Sequence, residues 1–117
     1  MEEKSRNITS LTHTTFAEFV RAHQFVVIHF WAVWNGYDVQ MQKAIESQIP
    51  NELHNKIHFT TFDIEPPEHH PICQEHRVLT VPALTYYRDA KLVETVIGLH
   101  KLEAIIQSLR VLLGGNA

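Results

Sequence analysis

The sequence is poor in cysteine, the residue with which small secreted domains stabilise themselves through disulfides. Its single cysteine, Cys73, has no partner in the chain with which to form one. One thiol is an ordinary number for a protein kept in a reducing compartment. We therefore expect a fold that is held by its apolar core and has no covalent cross-link.

Long apolar runs and an excess of positive charge are also missing. No segment approaches the roughly 18 consecutive apolar residues of a membrane-spanning helix, and residues 1–5 are polar, with no secretory apolar core after them. Ten Lys and Arg residues against thirteen Asp and Glu residues give a formal net charge of -3, which provides no basic stripe for a phosphate backbone or an anionic membrane. The sequence predicts a cytoplasmic protein that binds neither nucleic acid nor membrane.

The 117 residues suffice for one compact domain. We take residues 1–117 as that domain, with an ordered core over about 8–113. Residues 25–31 are almost continuously apolar and β-branched or aromatic, as in a central parallel strand covered on both faces. Met41, Ile45 and Ile49 repeat every four residues, which predicts an amphipathic helix that ends at Pro50.

The same criteria predict the remaining elements: strands over 8–11, 57–64, 83–87 and 92–97, a first helix capped by Thr12, a short helix from Pro71 to His76, and a last helix over 102–113 that Gly114 and Gly115 stop. Asp89 and Ala90 are placed for a tight hairpin between the last two strands. This order predicts an α/β domain, a mixed sheet with right-handed crossovers and helices on both faces.

Two segments at the ends of predicted strands resemble motifs of one family. Residues 30–38, which contain Trp34-Asn35-Gly36-Tyr37-Asp38, resemble the thioredoxin family's active-site segment, Phe-Trp-Ala-x-Trp-Cys-Gly-Pro-Cys. Residues 78–84 resemble the segment that carries the family's cis-proline, here Pro82, and Gly98 matches a further family position. The resemblance extends over about 8–113 and implies the thioredoxin fold.

The redox dithiol of the resembled motif is absent. Asn35 and Asp38 stand where the family has its two cysteines, and neither side chain can attack a disulfide as a thiolate does. Asn35 instead suits a helix N-cap, and the Asp38 carboxylate suits the positive end of the helix dipole. The sequence therefore predicts a degenerate redox site with no catalytic residue and no cofactor.

A buried acid of the family is also replaced, by His29. We hypothesise that His29 and Asp38 form a hydrogen bond or an ion pair, in place of the family's acid beneath a thiol. The alternative is a core histidine that is bonded to a backbone carbonyl.

Cys73 is the one candidate nucleophile. Its position resembles a small buried alanine of the family, so a core role is favoured over a reactive one. His69, Cys73 and His76 have helical spacing and residue types that zinc accepts, but Pro71 should begin the helix and leave His69 outside it. We therefore predict no metal site.

The resemblance also implies a shallow groove in which thioredoxins hold an extended segment of a partner. Trp34, Tyr37, Val81 and Pro82 should surround it, with Gly36 and Gly98 nearby, and the residue before the cis-proline should pair with the partner's backbone. The leading hypothesis is a non-catalytic interaction module, an adaptor, assembly factor or chaperone-like subunit with a protein or peptide partner. The alternatives are residual redox activity through Cys73 and a structural subunit that dimerises through an exposed sheet edge or an apolar patch; we expect a monomer or weak homodimer.

Overall fold

The computed structural model describes residues 8–114, so residues 1–7 and 115–117, including the predicted helix stop Gly115, lie outside the described part of the chain. The elements of the described part are β1 Thr9–Leu11, α1 Phe16–Ala22, β2 Phe25–Trp31, α2 Gly36–Gln48, α3 Asn51–His54, β3 His58–Asp63, a 3₁₀ helix Pro67–His69, α4 His70–Glu75, β4 Ala83–Arg88, β5 Lys91–Ile97 and α5 Leu102–Leu112. Among the described residues, no helix is long and apolar enough to cross a membrane.

The five strands form one mixed sheet in the order β1-β3-β2-β4-β5. Strands β1, β3 and β2 are parallel, whereas β4 is antiparallel to both β2 and β5. β2 lies in the middle, and its five inner residues are buried, as its continuous apolar run predicts. The predicted mixed α/β sheet is confirmed.

Helices cover both faces of the sheet because successive strand residues point to opposite sides. On one face Val27, Leu84 and Tyr86 pack with the inner sides of α2 and α5. On the other face the sheet packs with α1 and α4 through a second cluster, which contains Phe16, Val20, Val26, Ile28, Phe30 and Cys73. These two clusters hold β2 rigidly, together with the loop that follows it.

Two helices, α1 and α4, begin at residues other than those that the sequence predicts, and α2 and α5 end at Gln48 and Leu112, slightly before their predicted ends. α1 begins at Phe16, with Thr15 as its N-cap, and not after Thr12. The reason is that residues 12–15 form a separate turn, in which the Thr12 N–H donates to Thr15 Oγ1 over 2.9 Å and the Thr15 N–H donates to Thr12 O over 3.1 Å. α4 begins at His70, one residue before the predicted Pro71, and ends at Glu75.

Helix α3 was not predicted, because four residues are too few to show a periodicity. It follows Pro50, and the side chain of Leu53, which is 1% exposed, anchors it to the core. The predicted hairpin is confirmed. Asp89 and Ala90 have φ values of 53° and 69°, as a type I′ turn between two strands requires.

Candidate functional site

The predicted site residues gather at one edge of the sheet. Phe30 pairs with Ala83, Trp31 with Asp63, and Ala83 with Ile97. Because of this register, the loops after β2, β3 and β5 and the loop before β4 all leave the sheet at the same edge. This edge, which we call the site edge, is formed by residues 32–37, 64–66, 78–82 and 98–101, and it brings together Trp34, Gly36, Tyr37, Val81, Pro82 and Gly98.

The start of α2 is closed by its own side chains. Asn35 is the N-cap, and its Oδ1 accepts hydrogen bonds from the N–H groups of Tyr37 at 2.9 Å and Asp38 at 3.2 Å. The Asn35 N–H donates to Ala32 O over 2.9 Å. In a redox protein, amides of this kind lower the pKa of a cysteine thiolate. Here the Asn35 side chain accepts the hydrogen bonds of these amides instead.

The structure brings His29 and Asp38 together beneath this helix start. Their side chains are 1% and 0% exposed. Asp38 Oδ2 accepts a hydrogen bond of 2.9 Å from the Ala32 N–H, and Asp38 Oδ1 lies 3.4 Å from His29 Nε2. Asp38 therefore joins β2 to the first turn of α2 and fixes the loop between them.

The neighbouring Gln42 determines where His29 carries its proton. Gln42 Nε2 donates to Glu46 Oε2 over 3.0 Å, which leaves Gln42 Oε1 as an acceptor 2.8 Å from His29 Nδ1. His29 Nδ1 is therefore the protonated nitrogen, and His29 Nε2 faces the Asp38 carboxyl group. The His29 ring is thus oriented by Gln42 on one side and by Asp38, whose Oδ1 lies 3.4 Å from His29 Nε2, on the other.

Sequence reasoning missed Gln42. The signal was available, because residues 38, 42 and 46 form a polar stripe with a spacing of four along α2, beside the apolar stripe of Met41, Ile45 and Ile49. The alternative for His29, a bond to a backbone carbonyl, is not what the structure has, because both ring nitrogens face side-chain oxygens. Asp38, His29 and Gln42, all three buried, thus form one chain of polar contacts that ends at the half-buried Glu46.

Large apolar side chains cover the outside of the site edge. Trp34 is 69% exposed, Tyr37 63% and Leu79 85%. The Trp34 Nε1–H donates to Glu65 Oε2 over 3.0 Å, which holds the indole ring toward the loop after β3. Leu79 was not among the predicted site residues, since its neighbours in sequence suggested no periodicity.

The residues around the cis peptide bond between Val81 and Pro82 differ in exposure. Pro82 is buried and Val81 is half-buried. Pro82 therefore offers less side-chain surface to a partner than Val81, and its predicted role as a contact residue stays a prediction. Pro82 O accepts a hydrogen bond of 2.8 Å from Gly98, whose φ of 91° favours glycine.

The backbone of Val81 is unpaired. Among residues 8–114, neither its N–H nor its C=O forms a hydrogen bond. Gly36 is exposed and has no atom within 4 Å of the position of a Cβ, so nothing in the structure requires a glycine there.

Cys73 lies in α4, and its carbonyl accepts a hydrogen bond of 2.9 Å from the N–H of Val78, the first residue of the site-edge segment 78–82. It is 8% exposed and belongs to the cluster that includes Phe16 and Phe30. Burial raises the pKa of its thiol, so the thiolate that a nucleophile requires is disfavoured. This is the environment of a small core residue.

The two histidines near Cys73 are engaged elsewhere. His69 Nδ1 donates to Asp63 O over 2.6 Å, and His76 Nδ1 donates to Ile72 O over 2.9 Å. Within the described part of the chain there is no group of three or more His, Cys, Asp or Glu side chains that could hold a metal ion.

The sheet order, the helices on both faces and the loops that meet at the site edge define an α/β domain with the thioredoxin fold. The chain belongs to the thioredoxin family, because the family model described as Thioredoxin matches residues 7–111. The resemblance of residues 30–38 and 78–84 is thereby confirmed at the level of the family.

Two relatives with assigned names contain matching segments. A protein disulfide-isomerase of Aspergillus oryzae is 29% identical over 104 residues, which make up 89% of this chain and 20% of that protein. Thioredoxin-2 of Pyricularia oryzae is 28% identical over 97 residues, 80% of this chain and 53% of that protein. The chain thus spans only part of the length of both relatives.

Solved thioredoxins have the same architecture. Mitochondrial thioredoxin 3 of Saccharomyces cerevisiae, in its oxidised form, is 25% identical, with 89% of this chain and 94% of that chain covered and a TM-score of 0.76. Thioredoxin f of spinach chloroplast is 24% identical, with 94% and 99% covered and a TM-score of 0.76. At the latter identity the likeness concerns the fold alone.

Proposed function

We propose that this protein is a non-catalytic, thioredoxin-like interaction module that binds an extended segment of a partner protein at the site edge. The observation that carries the proposal is the combination of exposed Trp34, Tyr37 and Leu79 with the unpaired backbone of Val81. Tryptophan and tyrosine are the residue types that dominate binding energy at protein interfaces. An adaptor, an assembly factor and a chaperone-like subunit all fit this description.

The unpaired backbone of Val81 favours strand addition. A partner segment in extended conformation supplies one N–H and one C=O opposite a residue of this kind, and its side chains then point alternately toward and away from the domain. The exposed side chains of Leu79 and Trp34 then serve as apolar contacts for side chains of the partner. The main-chain hydrogen bonds provide affinity, and the aromatic side chains provide selection.

The part of the site edge around Trp34 favours a basic partner. Asp63 ends β3, Glu65 lies in the loop after it, and Glu68 lies in the 3₁₀ helix that follows. No lysine or arginine lies within residues 32–37 or 64–66, and the one lysine of the site edge is Lys101, in the segment 98–101. We expect the partner segment to combine apolar residues with lysine or arginine, because opposite charges align a partner on the surface.

The experiment is selection from a displayed library of random peptides, followed by affinity measurement of the enriched peptides. The double variant Trp34→Ala, Val81→Asp should lose at least about tenfold in affinity. Val111→Asp is the matched control, because Val111 is 51% exposed on α5 and lies outside the site edge. Equal loss in the control would place the binding elsewhere.

Strand addition has a test of its own. An enriched peptide that is N-methylated at the residue opposite Val81 keeps all its side chains but loses one backbone donor. We expect its affinity to fall by about tenfold, whereas methylation one residue further along should cost much less. If both methylated peptides bind like the parent, the partner is held by side chains alone and the strand-addition step is wrong.

Redox work through Cys73, the second hypothesis, receives no support from the burial and raised pKa of this thiol. We predict that a maleimide labels Cys73 in the native protein at least about a hundredfold more slowly than in urea, because the thiol must first become exposed and ionised. Mass spectrometry over time measures both rates. Fast labelling of the native protein would make Cys73 a candidate nucleophile again.

A further inference from the structure

A concave surface lies between α2 and the start of α5. Its volume is about 520 Å³, within the range of roughly 300–1,000 Å³ that small-molecule sites occupy. Ala44 lies between Gln40 and Gln48 on the face of α2 that borders it, and the short alanine side chain leaves the space open. We call this surface the α2–α5 groove; it is lined by Gln40, Met41, Lys43, Ala44, Gln48, Leu99, His100, Lys101, Leu102 and Ile105.

The floor of the α2–α5 groove is apolar. Met41 and Ile105 are 3% and 5% exposed and belong to the core cluster between α2, α5 and the sheet, and Leu102 packs against the same cluster. Leu99 is 48% exposed and forms one wall. The groove is therefore an open continuation of the hydrophobic core, and an apolar ligand body would gain free energy by covering it.

The rim of the α2–α5 groove is cationic. Lys43 comes from α2 and Lys101 precedes α5, and no carboxylate is among the lining residues. Within residues 8–114 neither lysine forms an ion pair. His100 Nε2 donates to Ile97 O over 2.8 Å, which fixes the loop that carries Lys101. In a chain of net charge -3, this local positive charge is opposite to the overall sign.

We propose that the α2–α5 groove binds a small amphipathic carboxylate. Its aliphatic or aromatic body covers Met41, Leu102 and Ile105, and its carboxylate lies between Lys43 and Lys101. A neutral amphiphile leaves both lysines without a counter-charge, and a small anion without an apolar body leaves the floor exposed to water. Only a ligand with both parts satisfies the groove, as in sites that combine an apolar lining with a few placed polar groups.

The test is titration of the ¹⁵N-labelled protein, followed by amide chemical shifts, with four probes. Octanoate has both parts, 1-octanol has only the chain, octyltrimethylammonium has the opposite charge, and acetate has only the carboxylate. We expect saturable shifts at residues 40–48 and 99–105 with octanoate, with an affinity at least about tenfold higher than that of 1-octanol. Octyltrimethylammonium should be the weakest amphiphile, and acetate should produce no saturable shift.

Charge removal with a matched control assigns the effect to the rim. In the double variant Lys43→Gln, Lys101→Gln the affinity for octanoate should fall to that for 1-octanol, whereas Lys56→Gln, Lys91→Gln removes two lysines outside the groove and should keep the preference. Equal affinities of the three amphiphiles for the natural chain, or equal losses in both variants, overturn the proposal. The groove shares residues 99–101 with the site edge, but Trp34, Tyr37, Leu79 and Val81 do not line it, so peptide binding at Trp34 should persist with octanoate bound. Displacement of the peptide would make the groove part of the peptide site and would also overturn the proposal.

Discussion

The start of α2 has an inward side and an outward side, and the two differ in almost every property. On the inward side, His29, Asp38 and Gln42 are buried and hydrogen-bonded to one another or to the backbone. On the outward side, Trp34 and Tyr37 are largely exposed, and one exposed hydrogen bond to Glu65 holds the indole. The contrast indicates that the inward side determines stability, whereas the outward side is free to contact another molecule.

The strongest test of this contrast is Asp38→Ala on the inward side. It removes the acceptor of the Ala32 N–H and leaves His29 Nε2 without a partner in a dry site, which should lower the free energy of unfolding by about 3 kcal/mol. Asp38→Asn keeps an acceptor for Ala32 and offers an N–H to His29, so we expect a loss of about 1 kcal/mol. Urea denaturation measures both values. Equal losses would show that the hydrogen bonds made by the side chain at position 38 contribute nothing specific.

Gln42→Met removes the hydrogen-bond acceptor of His29, one helical turn further along α2 than Asp38. His29 Nδ1–H then loses its acceptor while the side-chain volume is kept, and we expect a loss of about 1–2 kcal/mol in the free energy of unfolding. Gln40→Met, on the exposed face of the same helix, is the control and should stay within about 0.5 kcal/mol of the natural chain. If both variants behave alike, the Gln42 bond to His29 is not what stabilises this face.

Trp34→Ala tests whether the outward side contributes to binding and not to stability. The side chain is 69% exposed, so its removal should change the free energy of unfolding by no more than about 0.5 kcal/mol. Peptide affinity should nevertheless fall, as described above. A loss of stability comparable to that of Asp38→Ala would mean that the indole is a packing element and would erase the distinction between the two sides.

The smallest effect concerns a region remote from both sides, where the rings of His23 and His58 lie 3.8 Å apart. Desolvation, with the neighbouring His23 charge, lowers the pKa of His58 in the folded state. The unfolded chain therefore binds protons more readily, and stability should be full above the ordinary histidine range near pH 6.5 and decline as the pH falls below it.

His58→Asn should flatten this slope between about pH 7 and pH 5, whereas the exposed His70→Asn should not. Thermal unfolding at several pH values provides the comparison. An unchanged slope in His58→Asn would show that other titratable groups cause the decline.

The order of strands and helices could be predicted wherever a sequence pattern is compatible with few structures. A continuous apolar run such as 25–31 is compatible with few structures, and Asn35 three residues before an acid indicated a helix start directly. Features that depend on contacts between residues distant in the sequence could not be predicted. Nothing in the order of residues shows that Pro82 is covered, that Leu79 is exposed, or that Gln42 turns inward to His29.

The closure of the helix start by Asn35 also couples three positions of the sequence. Introducing cysteines at 35 and 38 would remove the cap from Tyr37 and Asp38 and, in the same step, the carboxylate that holds Ala32 and faces His29. His29 Nε2 would then lie in a buried site without the oxygen that it now faces. A chain with cysteines at both positions therefore needs a compensating change at His29.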